Sequence, residues 1–90
     1  MKKIIILGSG KIGSTAAYLL QKSNKFEVSL VDNKANAAHV SLEEEGVKII
    51  LGDITDPVFL DQVLTGNEYV LNACPYTLNK YIIDAVFKKG

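Results

Sequence analysis

Three glycines near the start of the chain have the types and spacing that most directly indicate chemistry. Gly8, Gly10 and Gly13 form a G-x-G-x-x-G pattern that directly follows the apolar run 4–7 and opens a helical pattern. Glycines at these positions allow a tight turn, a close approach of the main chain to a diphosphate, and close packing of the helix on the strand. N–H groups at the start of the helix would bind the phosphates, aided by the helix dipole. The pattern therefore predicts a diphosphate site.

A carboxylate follows at the distance that this kind of site requires. Asp32 ends the second apolar run, about 20 residues beyond the glycines. It could accept hydrogen bonds from the hydroxyls of an adenosine ribose and would repel a 2′-phosphate. We therefore expect a dinucleotide site that prefers NAD, with NADP as the alternative because Lys34 could weaken the repulsion. A helix-capping role for Asp32 is the structural alternative.

Further contacts with the cofactor are expected where the third and fourth strands end. Asp53 could accept a hydrogen bond from the adenine amino group and Ile54 could cover the ring, although Asp53 could instead be a turn residue. The main chain after the fourth strand should line the path to the nicotinamide. The predicted cofactor contacts are Gly8, Ser9, Gly10, Lys11, Ile12, Gly13, Asp32, Asn33, Asp53, Ile54, Asn72, Ala73 and Pro75.

Other chemistry has little support in the sequence. A P-loop needs a lysine where Ser14 follows Gly13, which argues against NTPase chemistry. Cys74 is the only cysteine and is best interpreted as a small residue at a strand end, because no histidine is placed to activate it. His39, the only histidine, is expected on the surface of the second helix. We predict no metal site and no catalytic residue within the chain.

Size and composition limit the classes of protein. The chain has 90 residues, 48% of them hydrophobic, with ten basic and ten acidic side chains. This length allows one small domain, and the balanced charge argues against binding to nucleic acid. No long apolar span or export leader is evident, so we expect neither membrane insertion nor secretion. A single cysteine is typical of a reducing compartment and predicts a cytoplasmic location.

The positioning elements alternate between strands and helices. Strands are predicted at 4–7, 28–31, 47–51 and 69–71, and helices at 11–22, 34–44, from 57 onward and at 78–88. Asn33 and Asp56 are the expected N-caps of the second and third helices. The expected inward-facing side chains are Ile12, Ala16, Leu19 and Leu20, then Ala35, Ala38 and Leu42, then Leu60, Val63 and Leu64.

Alternation of this kind predicts an α/β fold. Short right-handed crossovers give a truncated Rossmann-type parallel sheet of order 3-2-1-4 with helices on both faces. We expect residues 1–90 to be one dinucleotide-binding domain, the N-terminal fragment of a longer enzyme. The fourth strand would lie at an open edge, which leads to the hypothesis that two copies pair there as a homodimer.

Four segments carry a family resemblance: ILGSGKIG, VDN, GDITDPVFLDQVL and YVLNACPYTLNKYIIDA. Together they resemble the N-terminal dinucleotide-binding domain of the saccharopine dehydrogenase family over essentially the whole chain. The resemblance implies an NAD(P)-dependent oxidoreductase that acts on the C–N bond joining a lysine-like amine and a keto acid. It also implies that substrate and proton-transfer residues lie beyond residue 90, so that the fragment alone is inactive. Some family members carry a basic residue after the second strand and use NADP, whereas this chain has Asp32.

Two other classes share part of the pattern. Nucleotide-sensing regulatory domains of potassium transport systems also have the glycines, an acidic residue after the second strand and a similar turn after the third. The segment 74–76 and the helix after it favour the dehydrogenase family. Epimerase-like and short-chain dehydrogenases need a Tyr-x-x-x-Lys pair, and Tyr76 and Lys80 have that spacing but come too early in the chain.

Overall fold

A computed structural model describes residues 1–8 and 10–73. Four parallel strands form one sheet in the order β3-β2-β1-β4, which confirms the predicted topology. The strands are β1 (Lys2–Leu7), β2 (Phe26–Asp32), β3 (Lys48–Leu51) and β4 (Tyr69–Asn72). The helices are α1 (Lys11–Lys22), α2 (Ala37–Glu44) and α3 (Pro57–Leu64).

The central strand β1 is buried on both faces. Ile4 and Ile6 belong to a hydrophobic cluster on the side of α1 and α2, which includes Ala17 and Leu42. Ile5 and Leu7 belong to a second cluster on the side of α3, which includes Leu60 and Leu64. Successive side chains of a strand point to opposite faces, so an unbroken apolar run is what a strand covered by helices on both sides requires.

Helix α1 has the predicted bounds but presents a different face to the core. Gly13 and Ala17 are buried, and Ala16 and Leu20 are partly buried against the first cluster. The expected inward position of Ile12 and Leu19 is wrong, because their side chains are 77% and 61% exposed. At 100° per residue, both lie roughly 100° or more around the helix from Gly13. The small residues face the sheet because they allow the helix to approach it closely.

Helix α2 begins later than predicted. Asn36, and not Asn33, is the N-cap, and the first helical residue is Ala37. Asp32 accepts a hydrogen bond from the Asn33 main-chain N–H at 2.7 Å, and such local bonds compete with helix formation. Ala35 and Ala38 are consequently exposed, which corrects their predicted inward position, whereas Leu42 is buried as expected.

Helix α3 confirms the sequence-based prediction. The Asp56 side chain accepts a hydrogen bond from the Val58 N–H at 3.0 Å, and Pro57 occupies the first helical position. Leu60 and Leu64 are buried and Val63 is partly buried. Every one of these signals is local in sequence, which explains why the pattern predicts them well.

Several predictions fall outside the described residues. They concern Ser9, Cys74, Pro75, Tyr76 and the helix predicted at 78–88. Strand β4 ends the sheet in the part of the chain that is described, and pairing of copies at that edge stays a hypothesis. Across residues 1–8 and 10–73, no helix is both long enough and apolar enough to cross a bilayer.

Candidate functional site

The predicted contact residues gather at the carboxyl edge of the sheet. The strand register pairs Leu7 with Val31 and with Asn72, and pairs Asp32 with Leu51. The loops that leave β1, β2, β3 and β4 therefore begin side by side. In open parallel sheets, ligands bind at this edge where the strand order reverses, which here is between β1 and β4. This placement supports a common site.

The glycine turn after β1 is held by main-chain contacts. Gly8 has a φ of 92°, a conformation that glycine adopts readily, and its N–H donates to the Val31 carbonyl at 2.8 Å. A Cβ atom on Gly13 would collide with the Gly8 carbonyl oxygen and lie 3.4 Å from the Cβ of Ala73. Gly13 therefore allows the start of α1 to pack directly on the turn, as predicted from the pattern.

The first turn of α1 presents main-chain donors that have no partner within the helix. The first intrahelical bond runs from the Ser14 N–H to the Gly10 carbonyl at 3.2 Å, so the N–H groups of Lys11, Ile12 and Gly13 have no acceptor within the helix. Gly10 is the N-cap and has no side chain to cap them, and no acidic residue lies in the first turn. A Cβ on Gly10 would meet nothing within 4 Å. These features fit a diphosphate.

Asp32 lies at the end of β2 with its carboxylate held by its own loop. Oδ1 accepts a hydrogen bond from the Asn33 N–H at 2.7 Å, and Oδ2 lies 3.4 Å from the Asn36 side-chain amide nitrogen. The side chain is 18% exposed. The carboxylate therefore stands at the position expected for a ribose ligand, but it is oriented by protein donors that the sequence analysis did not identify.

His39 is the functional candidate that the sequence analysis placed wrongly. It is 3% exposed rather than on the surface, and its Nε2 atom lies 3.3 Å from Oδ2 of Asp32. The Asn36 N–H donates to its Nδ1 at 3.3 Å. An N-cap residue followed three positions later by a side chain that can accept from the N-cap N–H is a capping-box pattern. Asn36-x-x-His39 matches that pattern with histidine, and this spacing could have revealed the contact.

Asp53 forms the turn that follows β3. Its Oδ1 accepts hydrogen bonds from the Thr55 hydroxyl at 2.6 Å and from the Thr55 N–H at 2.9 Å. The hydroxyl bond first, and then the N–H bond, lower the pKa of the Asp53 carboxyl below its ordinary value. Ile54 packs in the second core cluster and is 9% exposed. The turn role of Asp53 is thus observed, and contact of Asp53 and Ile54 with an adenine stays a prediction.

The end of β4 completes the edge. Asn72 is exposed at the end of the strand, and the Ala73 N–H donates to the Leu7 carbonyl at 2.8 Å. Ala73 also packs against the first core cluster. Ala73 therefore supports the glycine turn, whereas contacts of Asn33, Asn72 and Ala73 with a cofactor stay predictions.

A separate groove lies at the amino edge of the sheet. Its volume is about 690 Å³, and its lining includes Lys3, Glu27, Lys48 and Asn67. Because ligands of parallel sheets bind at the opposite edge, we assign it no role. Within the ranges that the structure describes, no group of three or more His, Cys, Asp or Glu side chains could hold a metal ion.

Fold and edge together define a Rossmann-type nucleotide-binding domain. The sequence model of the saccharopine dehydrogenase NADP binding domain matches residues 4–90. The chain belongs to this family, which confirms the resemblance found in the sequence and disfavours the potassium-transport regulator.

Relatives of known identity agree with this assignment. The chain is 26% identical over 87 residues to the NADP(+)-dependent, L-glutamate-forming saccharopine dehydrogenase of Saccharomyces cerevisiae, covering 97% of this chain and 20% of that protein. The solved structure of an apo, L-glutamate-forming saccharopine dehydrogenase from that yeast matches with a TM-score of 0.87 and 26% identity, over 98% of this chain and 20% of the other. A UDP-glucuronic acid 4-epimerase from Bacillus cereus, solved with NAD, matches with a TM-score of 0.69 and 25% identity, over 79% and 26%.

These matches identify the kind of domain that the chain forms and the cofactor class of its family. The chain is a nicotinamide-dinucleotide-binding domain of the saccharopine dehydrogenase type. It spans about a fifth of the length of the curated relative that it matches.

Proposed function

We propose that this chain binds the adenosine-diphosphate half of a nicotinamide dinucleotide for an oxidoreductase that acts on a C–N bond of an amino acid. The observation that carries the proposal is the group of N–H donors at the start of α1 that have no acceptor within the helix, next to a glycine turn that would not tolerate a Cβ at Gly13. The bound cofactor would supply hydride transfer. The residues of this chain bind and orient it.

The choice between NAD and NADP has opposing arguments. The family is described as NADP-binding and the yeast relative is named for NADP, which favours NADP. A carboxylate at the end of β2 favours NAD, because Asp32 would accept hydrogen bonds from the ribose hydroxyls and would repel a 2′-phosphate. The epimerase of similar fold was solved with NAD. Given the family, we propose that NADP is accepted, and that Asp32 allows NAD binding as well.

The substrate is proposed from the relatives. The yeast enzyme is named as an L-glutamate-forming saccharopine dehydrogenase, and we propose an amino-acid substrate of that type for the protein of which this domain is part. We propose that the 90 residues by themselves bind cofactor without catalysing the reaction.

Titration of the isotopically labelled chain with NAD and with NADP tests the site. The amide signals of residues 8–13 should shift in both titrations, and those around Lys48 at the opposite edge should not. The matched variants are Lys11→Glu, at the first position of α1, and Lys25→Glu, beyond its carboxyl end. The first change should weaken binding roughly fivefold because it repels the diphosphate, while the same acid favours the helix dipole and should not lower stability. Equal affinity of the two variants would contradict the proposed location.

A further inference from the structure

His39 is the only buried polar or charged residue within residues 1–8 and 10–73. Buried polar atoms in folded proteins are nearly always paired, so an exception calls for a physical reason. The binding of the diphosphate by α1 makes no use of this side chain. Its position beside Asp32, at the end of β2, places it next to the expected site of the ribose.

The hydrogen bond to one ring nitrogen determines the chemistry of the other. The Asn36 main-chain N–H donates to Nδ1 at 3.3 Å, so Nδ1 is an acceptor. In a neutral imidazole the proton then lies on Nε2, which becomes a donor. His39 therefore presents an N–H group to its surroundings on the side of Asp32.

That donor is close to Asp32 but is not satisfied. Nε2 lies 3.3 Å from Oδ2, and yet it makes no hydrogen bond within the described part of the chain. Nε2 is also shielded from solvent. Burying an unpaired N–H is unfavourable, and a small rotation of the carboxylate toward the ring would remove that cost. His39 therefore favours orientations of the Asp32 carboxylate in which an oxygen points toward Nε2.

Contacts with the loop between β2 and α2 further limit the rotation of the Asp32 carboxylate. Oδ1 accepts from the Asn33 N–H, and Oδ2 lies within reach of the Asn36 amide. These two donors come from the segment that connects β2 to α2, whereas His39 lies within the first turn of α2. The helix is thereby linked to the orientation of the carboxylate.

We propose that His39 is a positioning residue that holds the Asp32 carboxylate for the ribose hydroxyls, and thereby sets the discrimination between NAD and NADP. The proposal rests on the proposed function, because it requires the ribose to lie at Asp32. His39 acts only through Asp32, since its Nε2 is buried. Without His39 the carboxylate becomes less ordered, which weakens NAD binding, and NADP binding changes less because a 2′-phosphate gains nothing from that carboxylate.

The test measures the ratio of the Kd for NADP to the Kd for NAD by calorimetry. His39→Leu, which removes both the acceptor and the donor, should lower this ratio about three- to tenfold. His39→Gln keeps an acceptor for the Asn36 N–H and a donor for Asp32, so its ratio should stay within about twofold of the wild type. In the Asp32→Ala background the same change to leucine should leave the ratio unaltered, because the residue through which it acts is gone.

A measurement on the wild type covers the case in which the leucine variant does not fold. Nitrogen chemical shifts of His39 should show the proton on Nε2, and the Nε2 signal should move when NAD binds. An unchanged ratio in His39→Leu, an equal effect of His39→Leu with and without Asp32, or an unmoved Nε2 signal with NAD bound would each overturn the proposal. A wild-type chain that binds neither cofactor would overturn the proposed function too, and is distinguished by the absence of binding itself.

Discussion

The turns after β1 and β2 both lead into helices at the same edge of the sheet, but they are built differently. The first depends on glycines and main-chain contacts, with Gly8 bonded to Val31 and Gly13 lying against the Gly8 carbonyl. The second depends on side chains, with Asp32 and His39 placed by residues of the following loop and helix. The first turn would therefore position main-chain donors with little freedom, whereas the second can be varied by single side-chain changes. Under the proposed function, affinity for the diphosphate and choice of cofactor would therefore be separable.

The largest expected effect comes from filling the space at Gly13. Gly13→Ala should lower the free energy of unfolding by about 3 kcal/mol, because the new Cβ would collide with main chain that cannot rotate away. Urea unfolding measures the loss. Thr15→Ala, an exposed position on the same helix, should stay within about 0.5 kcal/mol of the wild type. Equal stability of the two variants would show that the turn after β1 is less constrained than the structure indicates.

A smaller effect is expected at the start of α2. Asn36→Ala removes the side chain of the N-cap and should cost about 1 kcal/mol. Asn33→Ala should cost about 0.5 kcal/mol or less, since the hydrogen bond from Asn33 to Asp32 uses the main-chain N–H. The same unfolding experiment compares the pair. A larger loss at Asn33 would support the helix start predicted from sequence over the one observed.

The smallest effect concerns the turn after β3. Thr55→Ala removes the hydroxyl that donates to Asp53 and should raise the pKa of that carboxyl toward its ordinary value, while the bond from the main-chain N–H keeps it somewhat lowered. Because the folded-state pKa lies below the unfolded one, the stabilisation is present above the unfolded pKa and is lost as the pH falls through the folded value. Thr55→Ala should therefore show a weaker loss of stability in acid. Carboxyl carbon shifts during an acid titration measure the pKa. The control is Thr65→Ala, which removes a hydroxyl that donates to the main-chain carbonyl of Asp61 and should leave the pKa of Asp53 unchanged.

Much of the architecture follows from local patterns. The apolar runs, the glycine spacing and the cap formed by Asp56 and Pro57 predict the strand order and the third helix, because each signal depends on neighbours in sequence. The start of α2 has only the weaker spacing of Asn36 and His39 as a local signal, and the burial of His39 has none. Both depend on the contacts of the Asp32 carboxylate at the end of β2 with the loop and helix that follow. The pattern of large apolar residues also gives the wrong buried face of α1, because the small residues Gly13 and Ala17 face the sheet.

The double coverage of β1 has a consequence for how the domain opens. The glycine turn continues directly from a strand whose alternate residues anchor two separate hydrophobic clusters. Local fluctuations that loosen one layer leave the strand held by the other. Amide protons in β1 should therefore exchange with solvent only when the whole domain unfolds, and the strand beneath the proposed phosphate site should be as resistant to proteases as the most protected part of the molecule.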